Sequence, residues 1–228
     1  YAHARVVSVD TTEAEALPGV VAVISRNDFG DNSALDAFYG SVLKDHQVVA
    51  IDKVRFVGEP VAAVAAVDIE TAKAALDLIQ VQYEELSAVF EVQDAIGKGA
   101  PLVHEGKVKA YPGASGVSNR GRKYGNNFHS VRIRHGDVEQ GFRKANHVFS
   151  HTFNTPAVHH AALEPHVSVA KADVEGGELT IWSATQAPYK VRNRIAGIFG
   201  LTPEEVRVIV MPVGGGFGAK SHIKLEGL

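Results

Sequence analysis

No cysteine occurs anywhere in the 228 residues. Disulfides, thiolate zinc sites, cysteine nucleophiles and cysteine-ligated iron–sulfur clusters are therefore excluded from this chain, and any such centre is expected on another polypeptide or on lost domains of a truncated one. Also missing is a run of about 18 uninterrupted apolar residues, the length a membrane span needs. The first residues lack the basic-then-apolar layout of a secretory leader, so a cytoplasmic protein with no membrane span is expected. Charge of one sign is scarce too. The 23 Lys and Arg against 26 Asp and Glu give a formal net charge of -3 and a pI near 6.4, which offers no field to gather nucleic acid or an anionic membrane. A small-molecule or protein partner, with no nucleic acid, is the starting expectation. Internal repeats are absent as well.

What is present suits an ordinary globular core: 45% of residues are hydrophobic and 21% charged, enough for one large domain or two small ones. Tyr1 opens the chain inside an apparent strand, and the chain stops a few residues after a glycine loop, so both ends read as those of a fragment. Val6 to Val9 and Val20 to Ile24 are short β-branched runs separated by the turn signal "LPGV". "VRFVGEPVAAVAAV", Val54 to Val67, predicts two strands meeting at a bulge or corner around Gly58 and Pro60. Asp68 is placed to cap a helix whose apolar stripe is Ala72, Ala75, Leu76 and Ile79, and "IQVQYEEL" supplies the strand that closes an α+β unit near residue 95.

Between Gly97 and Asn127 the density of Gly, Ser, Asn and Pro predicts a surface linker. Beyond it, "HVFSHTFNTP", "HVSVAKAD" and "LTIWSAT" predict three strands. A helix follows from about Ala187 to Phe199, with Val191, Ile195, Ile198 and Phe199 on one face and Gly200 as its stop. "TPEE", Thr202 to Glu205, is a capping-box pattern with proline at the first helical position. The strand "VRVIVMPV" then feeds "GGGFGAK", Gly214 to Lys220.

A strand that runs into a glycine-rich turn exposes several backbone N–H groups with no side chain in front of them, a cradle for an anion or an electron-rich oxygen. Taken alone the loop is unspecific. Gly214, Gly216 and Ala219 fit the G-x-G-x-x-A dinucleotide pattern, Gly214 through Ser221 come close to a phosphate loop, and a glycine turn serving tight packing fits equally.

Company narrows the choice. "VRFVGEPVAAVAA", "NTPAVHHAALEPHVSVA" (Asn154 to Ala170), "WSATQAPYKVRNRIAGIFG" (Trp182 to Gly200) and "GGGFGAK" resemble, in order and spacing, the molybdenum-binding large subunit of the xanthine dehydrogenase/aldehyde oxidase family, which includes aerobic carbon monoxide dehydrogenases. The resemblance covers nearly the whole chain. It implies an α/β hammerhead domain over residues 1–96, a linker over 97–127, and over 128–228 the first part of a molybdopterin-binding α+β domain.

By that resemblance Gln186 reaches the molybdenum centre with its side chain, Phe217 and Gly218 turn backbone amides toward it, and Gly214, Gly215 and Gly216 let the loop approach. No residue of this chain is implied as a metal ligand or as catalytic, because the family's glutamate base lies past Leu228. The implied chemistry is hydroxylation of an aldehyde, an N-heterocycle or carbon monoxide with water-derived oxygen. The implied cofactor is molybdenum-molybdopterin, in its cytosine dinucleotide form in bacteria. Electrons would leave through an iron–sulfur (2Fe-2S) subunit to an FAD subunit, in a dimer of heterotrimers completed by the remainder of the large subunit. Ser221 stands where purine-oxidising members carry an acid after the lysine, which disfavours purines.

Other residues take plainer readings. His159, His160, Glu164 and His166 lack helical metal-site spacing and suit structural hydrogen bonds, with Glu164 in a positioning role. Lys190, Arg192 and Arg194 read as a solvated face with one within reach of a cofactor phosphate, Trp182 and Phe199 as core, and Glu59 as structural, with no partner carboxylate evident. A non-catalytic assembly or binding module that keeps the fold is the competing reading, and a nucleotide-binding domain is a third.

Overall fold

The computed structural model describes residues 1–29, 35–40, 44–105, 125–127, 133, 135–173 and 175–221. Two α+β units follow each other. In the first, β1 (Ala4–Asp10) is the middle strand of an antiparallel sheet between β5 (Lys53–Val54) and β7 (Gln80–Glu85). Ala4 and Val6 face the core on the even positions, but the next buried residue is Val9. An irregularity in pairing between Val6 and Ser8 inserts one residue and switches the alternation, as a bulge does. Ala50, Val61, Ile79, Val81 and Tyr83 complete this core.

Around it, α1 (Thr12–Ala16) leads into β2 (Val20–Ser25), which pairs with β6 (Ala62–Ala66), and α2 (Ile69–Leu78) packs on that pair and on α1. Asp68 caps α2 by accepting the Thr71 N–H at 2.8 Å, as its position predicts. The expected stripe is only partly realised. Ala75 is buried, yet Leu76 is 48% exposed, and Ile79 has already left the helix with extended backbone and joins the β-sheet core.

The two strands expected between Val54 and Val67 appear as β5, which ends at Val54, and β6, and the corner between them carries the chain from one sheet to another. The turn between them is tied by Glu59, which accepts the Arg55 N–H at 2.5 Å and faces its guanidinium at 3.3 Å. Asp52 holds the other side of the same guanidinium at 2.8 Å, so Glu59 is structural and does have a partner carboxylate. Burial pushes the Glu59 carboxyl above the usual glutamate value in spite of Arg55. Burial opposes ionisation of Asp52 as well, but there the Arg55 charge and hydrogen bond, with the Lys53 N–H, hold the carboxyl below its ordinary value.

A short ribbon of β3 (Phe38–Tyr39) and β4 (His46–Gln47) crosses to the second unit: the Asp36 N–H donates to Ile198 O at 2.8 Å and Tyr39 packs against the second core. Of the expected linker, residues 106–124 lie outside the described residues. Its described ends are tied together, because Asn126 accepts the Val103 N–H and donates to Ala95 O and Pro101 O, each at 2.9 Å, beside the single turn α3 (Val92–Ala95).

In the second unit α4 (Val138–Lys144) precedes a sheet in which β8 (Ser168–Asp173) runs antiparallel to β9 (Glu178–Ser183), and β10 (Val206–Val210) runs parallel to β9. Parallel neighbours need a crossover, supplied here by α5 (Pro188–Phe199). Proline opens α5, and Gly200 ends it at φ 66°, a left-handed position that glycine takes without cost. Val191, Ile195 and Ala196 pack on Ile181 and Val206 to form the core.

Phe199 does not join it: the side chain is 37% exposed. Trp182, one residue from Ile181, points to the opposite face of the sheet and is half-buried. Arg194, expected on a solvated face, is buried on the core side of α5, whereas Lys190 is exposed and Arg192 lies over the Tyr189 ring. The run "HVFSHTFNTP" forms no strand. Among the described residues no strand lies beside it to supply a hydrogen-bond ladder, and Phe149 and Phe153 stand 79% and 86% exposed. "TPEE" does close as expected, with Glu205 accepting the Thr202 N–H at 2.6 Å, but as a single 3-10 turn because β10 begins at Val206.

Candidate functional site

The glycine loop leaves β10 through Met211 and Pro212 and ends in a tight turn at Ala219 to Ser221, where the Ala219 N–H donates to Gly216 O at 2.8 Å. Opposite lies the β9–α5 junction. Thr185 is buried there, its hydroxyl donating to Lys220 O at 3.0 Å and accepting the Ala187 N–H at 3.1 Å. The Gln186 N–H also donates to Lys220 O, at 3.0 Å. This places the Gln186 side chain over the loop, where its Oε1 accepts the Gly218 N–H at 3.1 Å.

Gly216 shows why the loop carries no side chains. A Cβ built there would stand 2.5 Å from Gln186 Oε1. At Gly215 the backbone sits at φ 98°, which side-chain-bearing residues rarely adopt. Phe217 is nevertheless held at φ 49° with its ring 74% exposed, and Ala161, beside the Ala162 that touches Gly215, has the same φ of 49°. These two are the only described non-glycine residues with positive φ, one in the loop and one next to the Ala162 that faces Gly215.

Among the described residues, no acceptor faces the N–H groups of Gly215, Gly216 and Phe217, and the Gln186 amide nitrogen is equally open. Three loop N–H groups and the Gln186 amide nitrogen are thus left open on a loop that the Gln186 side chain overlies. The second face of the loop is anchored: Glu164 Oε2 accepts the Gly214 N–H at 2.6 Å and pairs with the Lys220 ammonium. The Lys220 hydrogen bond and the Gly214 N–H hold the Glu164 carboxyl below the ordinary glutamate value, with the Lys220 and His166 charges adding to the effect.

Residues 1–87 match the family model described as the aldehyde oxidase and xanthine dehydrogenase a/b hammerhead domain, and residues 121–228 match the molybdopterin cofactor-binding domain. The chain belongs to the molybdenum-binding large-subunit family of xanthine dehydrogenases and aldehyde oxidases. It is 36% identical to a probable xanthine dehydrogenase component of Bacillus subtilis over 99% of this chain and 27% of that protein. With the carbon monoxide dehydrogenase large chain of Afipia carboxidovorans it shares 37% identity over 96% of this chain and 27% of the relative. The crystal structure of quinoline 2-oxidoreductase from Pseudomonas putida superposes with a TM-score of 0.79 at 30% identity, covering all of this chain and 27% of that one. The chain thus spans about a quarter of the length of these relatives.

The donor set fits the family's molybdopterin group on this structure's own terms: neutral N–H groups and a carboxamide on an open loop, with close approach secured at Gly215 and Gly216. A phosphate loop fits less well. Its lysine must reach outward, whereas the Lys220 side chain is 1% exposed and turned inward onto Glu164.

Of the six residues expected at the site, Gln186, Gly216, Phe217 and Gly218 come together directly. Gly215 shapes the turn, and Gly214 serves the anchor. One detail differs from expectation: the Gly218 N–H is used by Gln186, so the open amides are those of Gly215, Gly216 and Phe217. His159 accepts the Ala161 N–H at 3.0 Å, a structural hydrogen bond, and no group of three metal-binding side chains occurs among the described residues. Thr185 and the Glu164–Lys220 pairing escaped the sequence. A hydroxyl three residues before a helix start hints at the first, but nothing local links positions 56 residues apart.

Proposed function

We propose that this chain contributes the hammerhead unit and part of the cofactor cradle of a molybdenum hydroxylase large subunit, with the domain boundary in the 97–127 segment. The observation that carries the proposal is the Gln186 carboxamide seated on the glycine loop, against Gly216 and on the Gly218 N–H, beside the open N–H groups of Gly215 to Phe217. When bound, the molybdopterin group supplies a redox metal that delivers water-derived oxygen to a substrate carbon and takes up its electrons.

The chain's own residues bind and orient. Gln186, fixed through its backbone to Lys220 and through Oε1 to Gly218, presents its amide nitrogen as a donor. The loop N–H groups add neutral dipoles that need no reorganisation. Phe217, exposed beside them, supplies an apolar wall.

Substrates of the aldehyde, N-heterocycle or carbon monoxide class are the reading that relatives named for xanthine, carbon monoxide, quinoline and aldehydes support. Ser221 stands in the position after the lysine as a neutral residue turned back onto Gly218 O at 2.5 Å, which disfavours purines within that range. A molybdopterin cytosine dinucleotide, a separate 2Fe-2S subunit and an FAD subunit, in a cytoplasmic dimer of heterotrimers, complete the proposal. The absence of cysteine from the chain fits clusters held on a separate subunit and equally fits clusters on another part of a longer polypeptide.

The test is Gln186→Ala in the complete complex. Its exposed side chain carries little of the fold, so the thermal midpoint stays near wild type while turnover falls by about 10–100-fold. Unchanged turnover would remove Gln186 from the site.

A further inference from the structure

Glu164 and Lys220 are assigned no cofactor contact, yet the loop hangs on them. One carboxylate oxygen, Glu164 Oε2, receives both the Gly214 N–H and the Lys220 ammonium, so the first glycine and the lysine that ends the loop share an anchor. The Glu164 N–H donates back to Gly214 O at 3.2 Å, which doubles the attachment at that end. At the other end the Lys220 carbonyl accepts both the Gln186 N–H and the Thr185 hydroxyl at 3.0 Å, and Gln186 in turn holds Gly218.

The contacts close into a ring: Glu164 to Lys220, Lys220 to Gln186, Gln186 to Gly218, and back along the loop to Gly214. Space is as tight as the bonding. A Cβ on Gly214 would sit 2.7 Å from Glu164 Cβ, so the carboxylate approaches as closely as the missing side chain allows. The Lys220 side chain is 1% exposed. Ion pairs add little net stability whether exposed or buried, so what this half-buried pair supplies is a fixed geometry.

We propose that Glu164 and Lys220 form a positioning clamp that sets the spacing between the Gln186 carboxamide and the open N–H groups of Gly215 to Phe217, acting on the cofactor only through them. The consequence for turnover rests on the molybdopterin reading; the geometry does not. The experiment therefore has an arm that needs no cofactor.

Full-length protein is prepared as wild type, Lys220→Met, Lys220→Arg and the double variant Glu164→Gln/Lys220→Met. The double variant leaves no lone buried charge and keeps a carbonyl for the Gly214 N–H. In the cofactor-free protein the clamp predicts that amide hydrogen exchange at Gly218, a group bonded to neither clamp side chain, rises at least about tenfold in Lys220→Met and in the double variant, with Lys220→Arg recovering part of the protection. In the loaded complex kcat falls by about 10–100-fold at nearly constant KM, and the paramagnetic signal of the partly reduced molybdenum changes shape.

Folded variants with wild-type Gly218 exchange and a wild-type signal would overturn the clamp. Should Lys220→Met fail to fold, the double variant decides; if neither folds, the pair is a fold element and the positioning role is overturned. Wild-type complex without molybdenum would instead overturn the molybdopterin reading, leaving the exchange measurement to judge the clamp by itself.

Discussion

Two glutamates, each paired with a cation, show how differently the two units are built. Glu59 in the first unit faces Arg55 with its side chain 7% exposed, and burial raises its pKa; Glu164 in the second faces Lys220 with its side chain 34% exposed, and its hydrogen bonds lower its pKa. The first carboxylate is enclosed to hold a turn. The second stays accessible at the edge of an open loop. The second unit covers one face of its sheet with α5, and both units leave large apolar side chains in the open, Phe90 at 81% and Val57 at 76% in the first, Leu163 at 98% and Phe153 at 86% in the second. The loop proposed to hold the cofactor lies on the second unit.

The largest effect expected from breaking this contrast is on the covered face. Ile195→Ala removes a fully buried side chain from the α5 core and costs about 2–5 kcal/mol, read as a drop in the thermal midpoint. Gly216→Ala comes next, and its signature differs. The added Cβ meets only the movable end of Gln186, so the fold survives while turnover of the complete complex falls by about 10–100-fold. Asp68→Ala, which removes the cap of α2 in the first unit, lowers stability by about 1 kcal/mol in denaturant titration and leaves turnover alone. Smallest is Phe153→Ala: the ring touches so little of the described chain that stability changes by no more than about 0.5 kcal/mol.

Acidification separates the two glutamates by sign. Glu164 has a lowered folded pKa, so its anchoring is fully present above the unfolded glutamate value of about 4.3 and is lost as pH falls through the folded value. The amide resonance of Gly214 should hold steady from pH 8 to about 5 and move only below that. Glu59 has a raised folded pKa, so the folded state binds the proton more tightly and the first unit loses stability as pH rises from about 4.3 through that folded value. Glu59→Gln should flatten this slope in pH-dependent unfolding.

The sequence made much of the frame legible because local rules agreed there. Asp68, Gly200 and the Thr202–Glu205 box each did what their residue types do at helix ends. Leu76, Phe199 and Arg194 misled because helical spacing says which residues share a face, but not where the neighbouring sheet stops. The strand expected at "HVFSHTFNTP" failed for a related reason: alternation describes a side-chain pattern, while a strand also needs a partner for its backbone.

At the site, Gln186 and the glycines were legible as a resemblance carried by four ordered motifs. The structure adds the reason for the glycines, since a single Cβ at Gly216 would collide with Gln186. It also adds the clamp, which joins residues 56 positions apart and leaves no periodic trace.

The most direct test of the central claim is metal analysis of the gently purified native protein, counting molybdenum and iron per chain beside the intact mass of every co-purifying polypeptide. The account predicts molybdenum close to one per large subunit, with iron on a separate, smaller partner. A native complex that carries neither metal would contradict it and make this loop and its glutamine a fold inherited without its chemistry.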